Sequence, residues 1–191
     1  ARNAKISVTT YGAAHAGLYN SDTMGADSRI PSLVKKYDPS IGELIQTIEY
    51  NTYTDTASLK DIVYKDASGR ITQMDVFSSG VLKEKQYFDP ATGQKKKVET
   101  IVDEMVTKVL TIAYLSNGFV ASETLKDALG QFIEQKYYSV GRPFINIKYK
   151  EGRWDIIEYF TWSASDQLTV QRYKLKESAQ YLISEESFKI V

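Results

Sequence analysis

The sequence predicts an α+β protein, in which antiparallel β-meanders flank a central two-helix segment and an extended N-terminal arm comes first. Three observations predict this class. A turn phrase recurs between residues 37 and 94, apolar residues follow a helical period from 98 to 138, and a period of two returns after residue 142. We therefore expect an arm over 1–36 and a single α+β domain over 37–191.

The arm has no sustained apolar period, and glycine and small polar residues dominate residues 9–32. Only residues 5–10 have the composition of a short strand. A segment with so little apolar surface cannot offset the entropy lost when it is ordered. We expect the arm to be held either by its own domain or by another subunit, and the sequence leaves both open.

The first meander is predicted over residues 37–97. Versions of one phrase stand at 37–44, 64–71 and 87–94: an aromatic residue, Asp, Pro or small polar residues, and then Gly. Asp accepts a hydrogen bond from the backbone two residues on, Pro fixes φ, and Gly supplies a positive φ. The phrase therefore predicts tight turns, and strands are expected at 43–53, 59–65, 70–77 and 81–88. The lysines at 95–97 predict a solvated loop that leads into a helix.

A helical hairpin is predicted over residues 98–139. In the first helix, Glu99 and Asp103 lie early and Lys108 lies late, which suits the helix dipole. Gly118 predicts its end, and Ser122 predicts the N-cap of the second helix. The apolar positions at helical spacing are Val98, Ile101, Val102, Met105, Val106, Val109, Leu110, Ile112 and Ala113, followed by Leu125, Ala128, Leu129, Phe132, Ile133 and Tyr137.

A second meander and a tail are predicted over residues 142–191, with strands at 144–149, 153–162 and 167–175. Trp154 and Trp162 are expected on one face of the middle strand, where they belong either to a core or to a contact surface. The tail, residues 177–191, ends in apolar residues and can add an edge strand, either to its own sheet or to that of a partner.

Catalytic chemistry finds little support in the sequence. His15 is the one histidine and cysteine is absent, so protein zinc sites made of these ligands are excluded. No phosphate loop, dinucleotide-binding glycine pattern or nucleophile elbow occurs. We predict a protein that is not an enzyme, without catalytic, cofactor-binding or metal-binding residues and without a small-molecule substrate. The enzyme alternative would need carboxylates that converge, for example around Asp155 or Glu158.

The composition favours proteins as the partners. Lys and Arg number 24, as do Asp and Glu, so no net charge attracts nucleic acid. No apolar run reaches the roughly 20 residues of a membrane span. The 14 tyrosines suit strands and amphipathic contact surfaces. We expect contacts with other copies of the chain and with neighbouring subunits, through the candidate interface residues Tyr11, His15, Tyr19, Trp154, Trp162, Phe188 and Val191.

The turn phrase also carries a resemblance. Residues 38–45 and 65–72 resemble the Tyr-Asp-x-x-Gly-x-Leu strand-turn-strand units of tailed-phage virion proteins. They also resemble the YD-type and YwqK-type repeats of bacterial surface and antitoxin-like proteins. The first resemblance implies a structural neck or tail subunit in the virion, held to its neighbours by its terminal arms. The second implies a binding module, for example at the bacterial cell surface. Both cover only about residues 37–94, and the chain departs from true repeat families in having two or three irregular copies.

Overall fold

The protein is all-β in the part of the chain that the computed structural model describes, which is residues 7–10, 33–38, 40–41, 43–51, 60–163, 167–176 and 179–189. These residues form fourteen strands and no helix. The strands are β1 (Ser7–Thr10), β2 (Leu33–Tyr37), β3 (Leu44–Asn51), β4 (Asp61–Asp66), β5 (Ile71–Ser78), β6 (Val81–Phe88), β7 (Lys95–Val102), β8 (Met105–Tyr114), β9 (Val120–Asp127), β10 (Phe132–Ser139), β11 (Arg142–Lys150), β12 (Arg153–Trp162), β13 (Gln167–Lys176) and β14 (Ala179–Lys189). The predicted α+β class is therefore wrong, whereas the predicted meanders are confirmed.

The chain divides into two compact units, of which the first is Ala1–Met105. Strands β1 to β7 of this unit pair antiparallel in chain order. Directly opposed residues share a face of the sheet. One such row crosses five strands and consists of Ile48, Tyr64, Gln73, Tyr87 and Lys97.

The second unit is Val106–Val191, and its strands also pair antiparallel in chain order, up to β14. Its central row of opposed residues is mostly charged and consists of Glu123, Lys136, Asn146, Glu158, Arg172 and Ser184. Such a row places long polar side chains next to one another on one face.

The first predicted helix is instead the second half of β7, a turn and β8. Asp103 and Glu104 have φ angles of 49° and 64°, and positive φ at both central residues is what a two-residue type I′ turn needs. Two apolar residues precede this turn and two follow it, with two polar residues between them. The apolar positions 101, 102, 105 and 106 therefore have the spacing of one face of a helix. The content of β-branched residues indicates strands, since nine of the seventeen residues at 98–114 are Val, Ile or Thr. The lysines at 95–97, predicted as a loop, begin β7.

The second predicted helix is also a hairpin, made by β9 and β10. Ser122, predicted as an N-cap, lies inside β9 opposite Tyr137. The predicted stop at Gly118 is a turn between strands, where the Gly118 amide donates to the Leu115 carbonyl at 2.9 Å. Leu129, assigned to the apolar face of the helix, lies in the turn after β9 and is 85% exposed.

That turn is a further copy of the Asp-x-x-Gly phrase. The Asp66 Oδ1 accepts from the Ser68 and Arg70 amides at 2.9 and 3.0 Å. The Asp127 Oδ1 accepts from the amides of Leu129 and Gln131 at 2.9 and 2.8 Å. The side chain thus closes both turns in the same way, as the sequence predicts for the phrase.

A longer period runs through the chain from β2 to β12. Each even-numbered strand from β2 to β12 has an aromatic residue within three positions of its end, and these aromatics stand 23–27 residues apart. They are Tyr37, Tyr64, Tyr87, Tyr114, Tyr138 and Trp162. The chain therefore contains more hairpin units than the two or three irregular copies apparent in the turn phrases.

Each unit is a single layer of strands in its described part, because strands contact almost only their neighbours in sequence. The buried apolar residues are correspondingly few: Ile48, Val63 and Ile101 in the first unit, and Ile147, Ile157 and Val170 in the second. Burial within one layer depends on the stems of long neighbouring side chains, which cover apolar surface while their polar ends stay in water.

Candidate functional site

The predicted interface residues are only partly placed by the structure. Tyr11, His15, Tyr19 and Val191 lie outside the described residues. Trp154, Trp162 and Phe188 lie in the second unit, on β12 and β14.

Trp162 and Phe188 lie on either side of Leu168 of β13 in one row across the sheet, since both are directly opposite it. The Trp162 indole is held in place, because its Nε1 donates to the Pro143 carbonyl at 2.8 Å and the Arg142 guanidinium lies 4.9 Å from the ring centroid. Phe188 is 45% exposed. The two rings thus belong to one apolar strip at the same end of their strands.

Trp154 lies at the other end of β12. The register shifts between Lys148 and Tyr149, so that Tyr149 lies opposite Trp154. This irregularity interrupts the strict alternation from which a shared face for both tryptophans was predicted. Trp154 is 54% exposed and is separate from the Trp162 strip.

The most exposed apolar stretch of the second unit is on β14, and sequence reasoning did not single it out. Tyr181, Leu182 and Ile183 are 55%, 54% and 53% exposed. The register shifts here, because Ser184 lies opposite Arg172 whereas Leu182 lies opposite Tyr173, leaving Ile183 as the additional residue. The signal in the sequence was three consecutive large apolar residues in a segment that otherwise alternates weakly.

Within the described part of the chain, β14 is also an edge strand. Among the described residues it pairs only with β13, along ten register positions from Gln167 to Lys176. Ten of its eleven residues are exposed. The side of β14 that faces away from β13 therefore offers backbone donors and acceptors to a further strand.

Two adjacent carboxylates follow the apolar stretch. Glu186 accepts from the Arg172 Nη1 at 2.5 Å. Glu185 accepts from the Gln171 amide at 2.7 Å and makes no ion pair among the described residues. Successive residues of a strand point to opposite faces, so β14 carries a negative charge on each face.

A network of charged groups connects β14 to the interior of the unit. Glu158 is buried, and its carboxylate accepts from Arg172 Nε at 2.8 Å, Lys148 Nζ at 3.2 Å and Asn146 Nδ2 at 2.8 Å. The same Asn146 amide group donates to Glu134 at 2.8 Å. Burial alone would raise the pKa of Glu158. These hydrogen bonds and the nearby positive charges lower the pKa by more than burial raises it, so it lies below its usual value. The carboxylate is ionised and satisfied, which suits a structural role.

Two depressions lie in the described part of the second unit. One depression, of about 320 Å³, is lined by Thr111, Ala113, Ser122, Thr124, Lys126, Phe132 and Gln135. Another, of about 230 Å³, is lined by Leu110, Glu123, Leu125, Glu134 and Lys136. Of the carboxylates named in the enzyme alternative, Asp155 pairs with Lys174 at 3.0 Å and Glu158 belongs to the network above. Both carboxylates are therefore paired with cationic side chains.

Neither a cluster of metal-ligating side chains nor a membrane-spanning helix occurs in the described part of the chain. No three His, Cys, Asp or Glu side chains lie close enough together there to hold a metal ion. Nor does a helix occur there with the length and apolar character needed to cross a bilayer.

No protein-family model matches the sequence, and no curated protein matches it. Among solved structures, the chain is similar to a DUF3836 family protein from Bacteroides vulgatus, with 11% identity over 60% of this chain and 93% of that one and a TM-score of 0.22. It is also similar to a chain of the TcdB2-TccC3-Cdc42 complex, with 10% identity and a TM-score of 0.23; the match covers 88% of this chain but only 11% of that one. TM-scores this low do not assign a shared fold.

Proposed function

We propose that this chain is a non-enzymatic binding module of a larger protein assembly, and that a partner binds by adding a strand to β14. The observation that carries the proposal is the exposed apolar stretch Tyr181, Leu182 and Ile183 on an edge strand. Backbone hydrogen bonds would supply affinity in this mode, and side chains at alternate positions would supply specificity.

The character of the edge supports this use. Proteins usually protect a long edge strand with proline, with charged side chains, with a β-bulge or with a covering segment. β14 contains no proline, and its bulge at Ile183 and its charges at Glu185, Glu186 and Lys189 all lie beyond Leu182, so that Ala179–Leu182 carry none of these devices and are exposed. An edge of this kind is suited to pairing with another chain.

The array of hairpin units favours the binding-module reading over the tailed-phage reading. Both resemblances rest on the same Tyr-Asp-x-x-Gly units, but a series of similar strand pairs is what a repeat protein consists of. The role of a virion neck or tail subunit held by terminal arms depends largely on residues 1–6, 11–32 and 190–191, which lie outside the described part. That role, and a location in the virion or at the cell surface, stay predictions.

The proposal is tested by hydrogen exchange of the purified chain with short strand-forming peptides rich in Thr, Val and Tyr. We expect at least one peptide to slow exchange at β14 while interior strands are unchanged. Ile183→Lys should abolish this protection. Ile45→Lys is the matched control, because Ile45 is 51% exposed but lies on β3, which is paired on both sides. If no peptide protects β14, or if both variants behave alike, strand addition at this edge is wrong.

A further inference from the structure

The acidic pair on β14 indicates what kind of strand the edge accepts. Glu185 and Glu186 follow directly after the apolar stretch and Ser184. Glu186 shares the Arg172 guanidinium with Glu158. Glu185 has only a neutral amide donor, from Gln171. Between them, Glu185 and Glu186 therefore have one guanidinium as an ion-pair partner, that of Arg172, which also pairs with Glu158.

An interior strand of the same unit shows how such a carboxylate is completed. Glu158 on β12 receives a positive charge from each neighbouring strand, Lys148 of β11 and Arg172 of β13. Glu186 receives one from β13 only, because in the described part β14 has no neighbour on its other side. Glu158 has Lys148 on the side away from β13. On the corresponding side of Glu186, the described part of the chain supplies no positive charge.

We propose that the strand added to β14 is basic: an extended peptide segment with two adjacent Lys or Arg residues opposite Glu185 and Glu186. This inference rests on the proposed function and specifies its partner. Since the strands of this unit pair antiparallel, the partner runs antiparallel to β14. Its basic pair therefore precedes the apolar residues that lie opposite Tyr181, Leu182 and Ile183.

The basic pair contributes specificity more than bulk affinity. Each cross-strand pair of opposite charges at a solvent-exposed edge adds a modest increment, and like charges directly opposite are unfavourable. Two such pairs correspond to a preference of about tenfold over a neutral peptide. Because both carboxylates are accessible to solvent, the preference should weaken as salt is added.

The experiment compares three peptides that differ at two positions only: Lys-Lys-Thr-Val-Tyr-Val-Thr, and the same sequence with Gln-Gln or Glu-Glu at its start. Binding is measured by fluorescence anisotropy at low and high salt, with β14 protection followed by hydrogen exchange. We expect the Lys-Lys peptide to bind about tenfold more tightly than the Gln-Gln peptide, and the Glu-Glu peptide to bind most weakly.

Substitutions on the chain complete the test. Glu185→Gln removes a carboxylate that makes no ion pair among the described residues. It should therefore reduce the preference for the Lys-Lys peptide without affecting the fold. The double variant Glu185→Gln/Glu186→Gln should abolish the preference. Glu43→Gln, a change at an exposed residue of the first unit, should leave it intact.

The outcomes separate this inference from the proposed function. Equal binding of the Lys-Lys and Gln-Gln peptides, with β14 protected by both, would overturn the basic partner and leave strand addition standing. Protection of β14 that rises with protein concentration in the absence of peptide would show that the occupant is a second copy, which also overturns the basic partner. Absence of β14 protection under every condition would overturn both proposals.

Discussion

Glu158 of β12 lies directly opposite Arg172 of β13, and the Arg172 Nε donates to the Glu158 Oε1 at 2.8 Å. The Glu158 side chain is only 7% exposed, although the unit has a single layer of strands. Burial of a carboxylate is costly unless it is paired and hydrogen-bonded. Donors from the strands on both sides meet that requirement here, so the network stabilises the pairing of β11, β12 and β13.

Replacing Glu158 should destabilise the protein more than replacing an exposed glutamate. Glu158→Gln keeps the shape but removes the counter-charge of Lys148 and one of the two carboxylates that pair with Arg172. We expect a loss of about 2 kcal/mol in the free energy of unfolding, below the range for fully buried pairs because both cations are partly exposed. Urea denaturation measures this loss. The control Glu185→Gln should stay within about 0.5 kcal/mol of the wild type. Similar losses in both variants would contradict a special role for Glu158.

The same carboxylate should make stability depend on pH in the acid range. The pKa of Glu158 in the folded protein lies below the ordinary value of 4.5, after burial has raised it and hydrogen bonds from Arg172, Asn146 and Lys148 have lowered it more. Its stabilisation is therefore present above the unfolded-state pKa and is lost as the pH falls through the folded-state pKa.

The measurement is the difference in urea midpoint between wild type and Glu158→Gln. This difference should be large near about pH 6 and should shrink as the pH is lowered to about 3, below the ordinary carboxyl pKa. Other carboxyl groups with lowered pKa values, such as Asp66, titrate in both proteins and cancel in the comparison. A difference that stays constant across this range would show that the Glu158 charge does not stabilise the fold.

Sequence patterns predicted the turns and strands well where polar turn residues were explicit. The strand predicted at 81–88 has the same bounds in the structure, and Asp66 and Gly69 form the predicted turn. Between 98 and 139 the prediction was wrong. There the two-residue turn at Asp103 and Glu104 carries no Gly or Pro, and Leu129 in the turn after β9 is apolar, so the apolar spacing imitated helices.

The candidate site could be predicted only in part. Residues 177–191 were expected to add an edge strand, and β14 does pair with β13. The contact between Glu158 and Arg172 depends on the registers of three strands, which the turns and a register shift after Lys148 determine. Composition and periodicity do not encode such a register, and the exposure of Ile183 depends on a further shift within β14.

Tyr87 should titrate at an unusually high pH. Burial raises the pKa of its hydroxyl, and the hydrogen bond to Glu99 at 2.8 Å and the charge of that carboxylate raise it further, to about 12. The protonated hydroxyl therefore stabilises the fold fully below the ordinary tyrosine pKa of 10.0, and this contribution is lost as the pH rises through about 12.

Ultraviolet absorbance titration of wild type minus Tyr87→Phe isolates the tyrosinate signal of this residue. We expect a midpoint near 12. Glu99→Gln should shift it towards 10, since the charge that opposes ionisation is removed. Glu104→Gln, in the turn after β7, is the control and should leave the midpoint unchanged. A midpoint near 10 in the wild type would show that the hydrogen bond between Tyr87 and Glu99 does not persist in solution.

Val140 should be a site where a substitution stabilises the protein. Its φ is 49° and that of the following Gly141 is 76°, which is the pattern of a type I′ turn, where Asn-Gly is favoured. A β-branched residue at positive φ is strained, and Val140 is 73% exposed, so little packing compensates for the strain. Val140→Asn should raise the free energy of unfolding by about 1 kcal/mol.

Val81→Asn is the matched control, because Val81 is 51% exposed but begins β6 and does not have a positive φ. There the same change exchanges a good strand former for a poor one and should lower stability. Thermal and urea unfolding of both variants measure the contrast. A loss of stability in Val140→Asn comparable to that in Val81→Asn would mean that the Val140 side chain contributes more through its contacts than its backbone conformation costs.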